Sequence, residues 1–139
     1  MILADTSGLV AALVENQRTH EGAKAALAEA DRPILLSPFV LAELDYFLAH
    51  QPGVDAELAF LSEVSAGAYD LVAFDAFDVR EAEIVFDKYA DLGIGLADAS
   101  LVVLAGRYGT NRILTLDERH FRALRTPSGG AFEILPADA

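Results

Sequence analysis

The chain has 139 residues, of which 53% are hydrophobic and 23% charged, so it can bury a substantial core and is not disordered as a whole. Its 22 acidic and 10 basic residues give a formal net charge of -12, which excludes nucleic-acid binding by bulk positive charge. The absence of cysteine excludes disulfides, thiolate metal sites and thiol nucleophiles. A cytoplasmic protein is expected, because Asp5 interrupts the apolar N-terminus and no charge-free stretch is long enough to span a bilayer.

Short apolar runs alternate with amphipathic segments along the chain, and single Pro and Gly residues separate them. The predicted elements, in chain order, are a strand at 2–4, a helix capped by Thr6 or Ser7, a helix at 20–30, a strand at 34–37, a helix at 38–50, a helix at 54–66, a short strand at 69–73, a helix at 76–91, a helix at 97–107, a strand at 113–116 and a strand at 132–135. This alternation predicts one α/β domain over residues 1–139, with a mainly parallel sheet covered by helices on both faces.

Four acidic residues stand beside apolar positions: Asp5, Glu43, Asp98 and Asp117. Asp5 and Asp117 follow predicted strands, and sites in parallel sheets lie beyond the carboxyl ends of the strands. A carboxylate in such surroundings is costly unless it is paired, hydrogen-bonded or metal-bound, and residues 33–79 contain no Lys or Arg. A divalent cation would supply the missing positive charge. Oxygen ligands favour Mg²⁺ or Mn²⁺, which can activate water and stabilise charge on a phosphate.

Each of these acids also has a purely structural interpretation. Asp5 fits a helix N-cap, and Asp98 fits a helix N-terminus through the helix dipole. Glu43 fits a solvated helix position, and Asp45 competes with it, since residues two apart do not share a helix face. Asp117 fits a turn or a cap. The four acids together form a stronger pattern than any one of them.

Four short segments carry a resemblance to a known family. They are ILADTS at 2–7, SPFVLAEL at 37–44, LADASL at 96–101 and LTLDERHF at 114–121. In order and spacing they resemble the PIN-domain ribonucleases, and most of all the VapC-type toxins of bacterial toxin–antitoxin pairs. The resemblance implies a PIN-like three-layer sandwich and a Mg²⁺- or Mn²⁺-dependent endoribonuclease that hydrolyses RNA phosphodiesters. It also implies a small antitoxin that blocks the site, and a homodimer.

The resemblance assigns roles to particular residues. It implies that four acids bind the metal and act in catalysis: Asp5, Glu43, Asp98 and Asp117. Of these, Asp5 and Asp98 match the family's most dependable metal-contacting positions. Ser7 and Thr115 match supporting polar positions. The three histidines fit surface or turn positions better than ligand positions, although His120 lies close to Asp117 in the sequence.

Basic residues are concentrated in one segment of this acidic chain. Residues 107–125 contain five arginines against two acids, a net charge of +3. Arg112, Arg119 and Arg122 are therefore candidate contacts for RNA phosphates. A solvated helix face or an antitoxin-binding surface explains any one of these arginines equally well.

Two other functions stay open on the sequence alone. A metal-dependent phosphatase would use Asp5 as its nucleophile, although such an enzyme would favour a second acid at the position that Ser7 occupies. A catalytically silent interaction module of the same fold would use the acids as caps and surface charge. A nuclease cuts RNA only with metal, a phosphatase releases phosphate from small esters, and the silent module does neither.

Overall fold

The computed structural model describes the whole chain, from Met1 to Ala139. A central sheet is formed by five strands: β1 (Ile2–Ala4), β2 (Ile34–Leu36), β3 (Asp70–Leu71), β4 (Arg112–Leu114) and β5 (Glu133–Leu135). The strand order is β3-β2-β1-β4-β5, and every neighbouring pair is parallel. The predicted α/β fold with a mainly parallel sheet is thus confirmed, and the sheet is parallel throughout.

Seven α-helices connect the strands: α1 (Thr6–Leu13), α2 (His20–Glu29), α3 (Pro38–His50), α4 (Val54–Ser65), α5 (Ala76–Lys88), α6 (Leu96–Tyr108) and α7 (Glu118–Ala123). The chain moves in one direction across the sheet from β1 to β3 and then in the other, so right-handed crossovers place α1–α4 on one face and α5–α7 on the opposite face. The packing agrees, since α1 contacts α2 and α3, α3 contacts α4, and α5 contacts α6. No helix combines the length and the apolarity that crossing a membrane would require.

The centre of the sheet is fully enclosed. All three residues of β1 have no exposed surface, and the apolar residues of β2 and β4 are at most 2% exposed. Because helices cover both faces, these strands need no alternation of apolar and polar residues. The middle of α6, from Ala97 to Ala105, is almost entirely buried as well, which matches its uniformly apolar sequence.

A close contact between α1 and β4 determines where the first helix lies. Gly8 of α1 packs directly on β4, and a Cβ atom at this position would lie 2.6 Å from the carbonyl carbon of Leu114. Only glycine permits this approach without displacing the helix or the strand. The first turn of α1, which carries Thr6 and Ser7, is therefore held beside the carboxyl end of β4.

Three local predictions differ from the structure. Neither Thr6 nor Ser7 caps α1, because the helix begins at Thr6 with Asp5 in the cap position and no side chain caps it. The strand predicted at 69–73 is reduced to the exposed pair Asp70–Leu71, since β3 is an edge strand with a neighbour on one side only. The helix predicted at 76–91 ends at Lys88 and is followed by a single 3₁₀ turn.

Candidate active site

The candidate site lies at the carboxyl edge of the sheet, where the strand order reverses. Asp5 follows β1 and Thr115 follows β4, and these two strands are neighbours. The backbone N–H of Asp5 donates to the carbonyl of Leu114 at 3.0 Å, which fixes the end of one strand to the end of the other. Ligand sites in open parallel sheets form at this kind of reversal, because the following connections diverge to opposite faces and leave a crevice.

The carboxylate of Asp5 is held by two hydroxyl groups. Thr115 Oγ1 donates to Asp5 Oδ2 at 2.7 Å, and Ser7 Oγ reaches the same oxygen at 3.2 Å. Each hydroxyl also accepts a backbone N–H, from Asp117 for Thr115 and from Leu116 for Ser7, at 2.9 and 3.0 Å. The two residues predicted as supporting positions therefore join Asp5 to the segment that carries Asp117.

Glu43 reaches the same region from α3. Thr6 Oγ1 donates to Glu43 Oε1 at 2.6 Å, which ties this exposed glutamate to the first residue of α1. Asp45, two residues further along α3, lies close enough to Glu57 of α4 to raise the pKa of that glutamate. The structure thus separates the two competing acids of this helix and brings Glu43 to the candidate site, where it contacts Thr6 and its charge acts on Asp98.

Asp98 enters the site from the first turn of α6. Its Oδ2 accepts the backbone N–H of Gly95 at 3.4 Å, so Asp98 also serves the helix N-terminus in the way that its structural interpretation expects. Burial raises the pKa of Asp98, and the negative charges of Asp117 and Glu43 raise it further. The hydrogen bond from Gly95 and the charge of His120 act in the opposite direction.

Asp5 is the most deeply buried acid of the group, with 5% of its surface exposed. Burial raises the pKa of Asp5 to about 6, and the charge of Asp98 contributes to that rise, although the hydrogen bonds from Thr115, Thr6 and Ser7 oppose it. A carboxylate that resists ionisation this strongly lacks a compensating positive charge. Among the side chains whose charges act on Asp5 and Asp98, His120 is the only one that can carry a positive charge, and it acts on Asp98.

Asp117 and His120 come to the site with α7. Asp117 caps this helix, since its Oδ1 accepts the backbone N–H of His120 at 3.0 Å. The imidazole Nδ1 of His120 lies 2.8 Å from Asp117 Oδ2 and 3.4 Å from Asp98 Oδ2. The sequence favoured a surface or turn position for His120. One signal in the sequence could have indicated that His120 belongs to the site. It stands three residues after Asp117, and that spacing places two side chains on the same face of a helix.

The donor set at this edge fits a divalent cation. One ligand atom from each of Asp98, Asp117 and His120 lies within 4.8 Å of the others. The Nδ1 atom of His120 is buried but makes no hydrogen bond, and buried polar atoms in native proteins seldom lack a partner. Carboxylate oxygens and one imidazole nitrogen together form a familiar ligand set for such ions.

The three candidate RNA-contacting arginines occupy different environments. Arg112 begins β4, at the opposite edge of the sheet, and pairs with Glu133 at 3.0 Å. Arg122 pairs with Asp138 at 2.7 Å. Arg119 of α7 is exposed and forms neither an ion pair nor a side-chain hydrogen bond. Of the three, Arg119 therefore has the freest guanidinium, next to His120 in the sequence.

Comparison with known proteins agrees with this architecture. The family model described as the PIN domain matches residues 2–126. Ribonuclease VapC26 of Mycobacterium tuberculosis is 44% identical over 135 residues, which cover 97% of this chain and 100% of that protein.

Two solved structures share the fold at lower identity. The crystal structure of VapC20 from Mycobacterium tuberculosis, described as a toxin that cleaves the sarcin–ricin loop, aligns with a TM-score of 0.78 and 20% identity over 84% of this chain and 90% of that one. The DNA-bound VapBC complex from Salmonella typhimurium aligns with a TM-score of 0.66 and 18% identity over 96% of each chain. With the family model matched over most of its length and a close relative matched over nearly all of it, the chain belongs to the PIN-domain family and, within that family, to the VapC-type proteins.

Proposed function

We propose that this chain is a divalent-metal-dependent endoribonuclease and the toxin of a type II toxin–antitoxin system. The observation that carries the proposal is the convergence of four carboxylates with almost no compensating positive charge: Asp5, Glu43, Asp98 and Asp117. The activity of a relative that is 44% identical over its whole length supports the same reaction class. The sheet that holds the acids also includes β5, so we take residues 1–139 as one working domain.

Each acid has a role in this proposal. Asp5 and Asp98 hold the ion directly, because they are the two most enclosed carboxylates and their charges act on each other. Glu43 and Asp117 are more exposed and bind the ion directly or through water. When bound, Mg²⁺ or Mn²⁺ supplies a more acidic water and stabilises the negative charge that develops on the phosphate.

The neighbouring polar residues keep the acids in position. Thr115 and Ser7 fix the Oδ2 oxygen of Asp5 by hydrogen bonds, so that carboxylate has a defined orientation before any ion arrives. Thr6 does the same for Glu43. Loss of a group that orients a metal ligand in this way commonly lowers metal affinity or activity by about 10–100-fold.

RNA and two protein partners complete the proposal. Arg119 offers a free positive charge to an RNA phosphate beside the acids, while Arg112 and Arg122 are already engaged in ion pairs. The structural relatives include complexes named VapBC, and we propose that a small antitoxin likewise covers this site. We further propose a homodimer acting in the cytoplasm. Sedimentation of the purified toxin tests the dimer, and a strictly monomeric protein contradicts it.

Cleavage of mixed cellular RNA by the purified protein tests the reaction directly. We expect cleavage with Mn²⁺ or Mg²⁺, none with chelator, and none for Asp98→Asn, which keeps the size of the side chain and removes its charge. Release of inorganic phosphate from a small phosphate ester without RNA cleavage would instead favour the phosphatase. Neither activity in folded protein, together with no metal binding by calorimetry, would favour the silent interaction module.

The helix α3 provides a matched pair of variants. Glu43→Gln removes a carboxylate at the site, whereas Asp45→Asn removes a carboxylate of the same helix that lies near Glu57 of α4 instead. We expect the first variant to lose most of its cleavage and the second to cleave as the wild type does. The reverse pattern would assign the metal-facing role on α3 to Asp45.

A further inference from the structure

The imidazole of His120 occupies a distinctive place among the candidate ligands. It lies between two carboxylates that belong to different elements, Asp98 on α6 and Asp117 at the start of α7. Its Nδ1 atom is 2.8 Å from Asp117 Oδ2 and 3.4 Å from Asp98 Oδ2. The His120 side chain is 18% exposed, about as enclosed as that of Asp98 at 17%. The nitrogen is therefore directed into the acidic cluster and away from bulk water.

The position of Nδ1 is not explained by an ordinary hydrogen bond. Despite the short distances to the two carboxylates, the atom makes no hydrogen bond of proper geometry and has less than 1 Å² of accessible surface. The other two histidines use their Nδ1 atoms ordinarily: His20 bonds the carbonyl of Ala11 at 2.9 Å, and His50 bonds that of Tyr46 at 2.8 Å. His120 is thus the only histidine whose Nδ1 atom makes no hydrogen bond within the protein.

A single ion would give that nitrogen its partner. The three ligand atoms of Asp98, Asp117 and His120 lie within 4.8 Å of one another, and opposite ligands of an ion bound at about 2.0–2.6 Å are separated by about 4–5 Å. The set is two oxygens and one nitrogen from this group, with Asp5 and Glu43 beside it. A purely acidic site would present oxygen alone.

We infer that His120 contributes a nitrogen ligand to the metal site and makes it prefer Mn²⁺ over Mg²⁺; this inference rests on the proposed function, which places a divalent ion among the acids. Mg²⁺ is a hard ion that binds oxygen and keeps its water shell. Imidazole nitrogen is a ligand of first-row transition ions, of which Mn²⁺ is one, and is not a preferred ligand of Mg²⁺. The nitrogen therefore adds more to the binding of Mn²⁺ than to the binding of Mg²⁺.

Pulsed electron paramagnetic resonance of Mn²⁺ on the tag-free protein tests the inference without relying on catalysis. We expect a ¹⁴N coupling typical of a directly bound imidazole in the wild type. His120→Asn should abolish the coupling, because Asn offers oxygen at that place. His50→Gln should keep it, since the His50 ring is engaged with Tyr46 at the far end of α3. Circular dichroism is the check that each variant folds.

Calorimetric titration of the same proteins with Mn²⁺ and Mg²⁺ measures the preference. For His120→Asn we expect Mn²⁺ affinity to fall by about 10-fold or more, because loss of a group that only orients a metal ligand already costs about 10–100-fold. We expect Mg²⁺ affinity to change little. Equal losses for both ions would contradict a role of His120 in choosing the metal.

The outcomes separate the inference from the proposed function. Binding of Mn²⁺ that depends on Asp98 but shows no nitrogen coupling overturns the role of His120 and leaves the metal-dependent nuclease standing. No Mn²⁺ or Mg²⁺ binding by the folded wild type overturns both. Nitrogen coupling that survives in His120→Asn would also overturn the inference, because the nitrogen would then belong to another residue.

Discussion

Replacing Asp5 by Asn should stabilise the metal-free protein while destroying its proposed activity. Asp5 is 5% exposed and burial raises its pKa to about 6, from an ordinary value of 3.8. Asn has the same shape, and its side-chain oxygen can still accept the hydroxyl bonds from Thr115 and Ser7. The substitution therefore removes an ionised group that the folded state holds unfavourably and leaves the surrounding contacts in place.

The magnitude follows from the difference between the folded and unfolded pKa values. The folded state binds the Asp5 proton more tightly, so the wild-type protein gains stability from this residue as the pH falls from about 6 toward 3.8. Above that window the residue is ionised in both states, and a difference of about two pKa units corresponds to about 3 kcal/mol of unfavourable free energy. Asp5→Asn should recover about this amount near pH 8 and almost none below about pH 4. For a chain of this size, about 3 kcal/mol corresponds to roughly 10 °C in Tm.

Urea unfolding followed by circular dichroism, in the presence of a chelator, measures the effect. The free energy of unfolding of the variant is compared with that of the wild type near pH 8 and near pH 4, so that all other titrating groups cancel. Asp70→Asn, at an exposed position of β3, is the control and should show no comparable gain. With saturating Mn²⁺ the order should reverse, because the ion stabilises the wild type by mass action and the variant has lost a ligand. A variant no more stable than the wild type near pH 8 without metal, or a gain that does not change with pH, would refute the reasoning.

Three further substitutions test the structure around the site. Thr115→Val removes the hydrogen bond to Asp5 and the acceptor of the Asp117 N–H. We therefore expect the free energy of unfolding in urea to fall by about 1–3 kcal/mol and RNA cleavage to weaken. A fully active, equally stable variant would contradict the positioning role of Thr115. Gly8→Ala forces a methyl group into the backbone of β4 and should cost about 1–3 kcal/mol in the same assay; an equally stable variant would show that α1 does not depend on this close approach. Ser100→Ala removes the hydroxyl that Ser37 Oγ contacts at 2.8 Å in the core, and should lower stability by about 1–3 kcal/mol without changing metal affinity by calorimetry; unchanged stability would show that this buried pair contributes nothing.

Local signals in the sequence were sufficient to predict elements whose ends are defined by their own residues. The helix predicted at 38–50 has those bounds in the structure. Ser37 accepts the N–H of Phe39 as an N-cap, Pro38 occupies the first turn, and the Pro-Gly pair after Gln51 ends the helix. Such signals act within a few residues, so they can be recognised without knowledge of the rest of the fold.

Elements that depend on their neighbours were harder to predict. Helix α7 has only six residues and follows its capping residue Asp117 directly, so it offers too short a pattern for helical periodicity to show. The hydroxyls of Thr6 and Ser7 fit a helix cap locally, but in the folded chain they bond to Glu43 and Asp5 instead. Tertiary contacts replaced the local interaction in this case.

The candidate site shows the same division. Sequence reasoning placed Asp5 and Asp117 after strands, and the structure has both of them there. It could not predict that β1 and β4 are neighbours, since strand order is set by packing of the whole chain and not by spacing. The bond between Asp5 and Thr115 joins residues 110 positions apart. The inward direction of His120 likewise depends on where α7 meets α6.

The pairing of β1 with β4 also sets the time at which the site can exist during protein synthesis. Chains emerge from the ribosome N-terminus first and begin to fold as they do so, and β1 can pair with β2 once residue 36 is available. A nascent chain of about 110 residues already carries Asp5, Glu43 and Asp98, but it still lacks β4, Thr115 and Asp117. On the proposed function, the growing toxin therefore cannot yet cut the RNA around it, and it becomes a nuclease only after β4, Thr115 and Asp117 have been made.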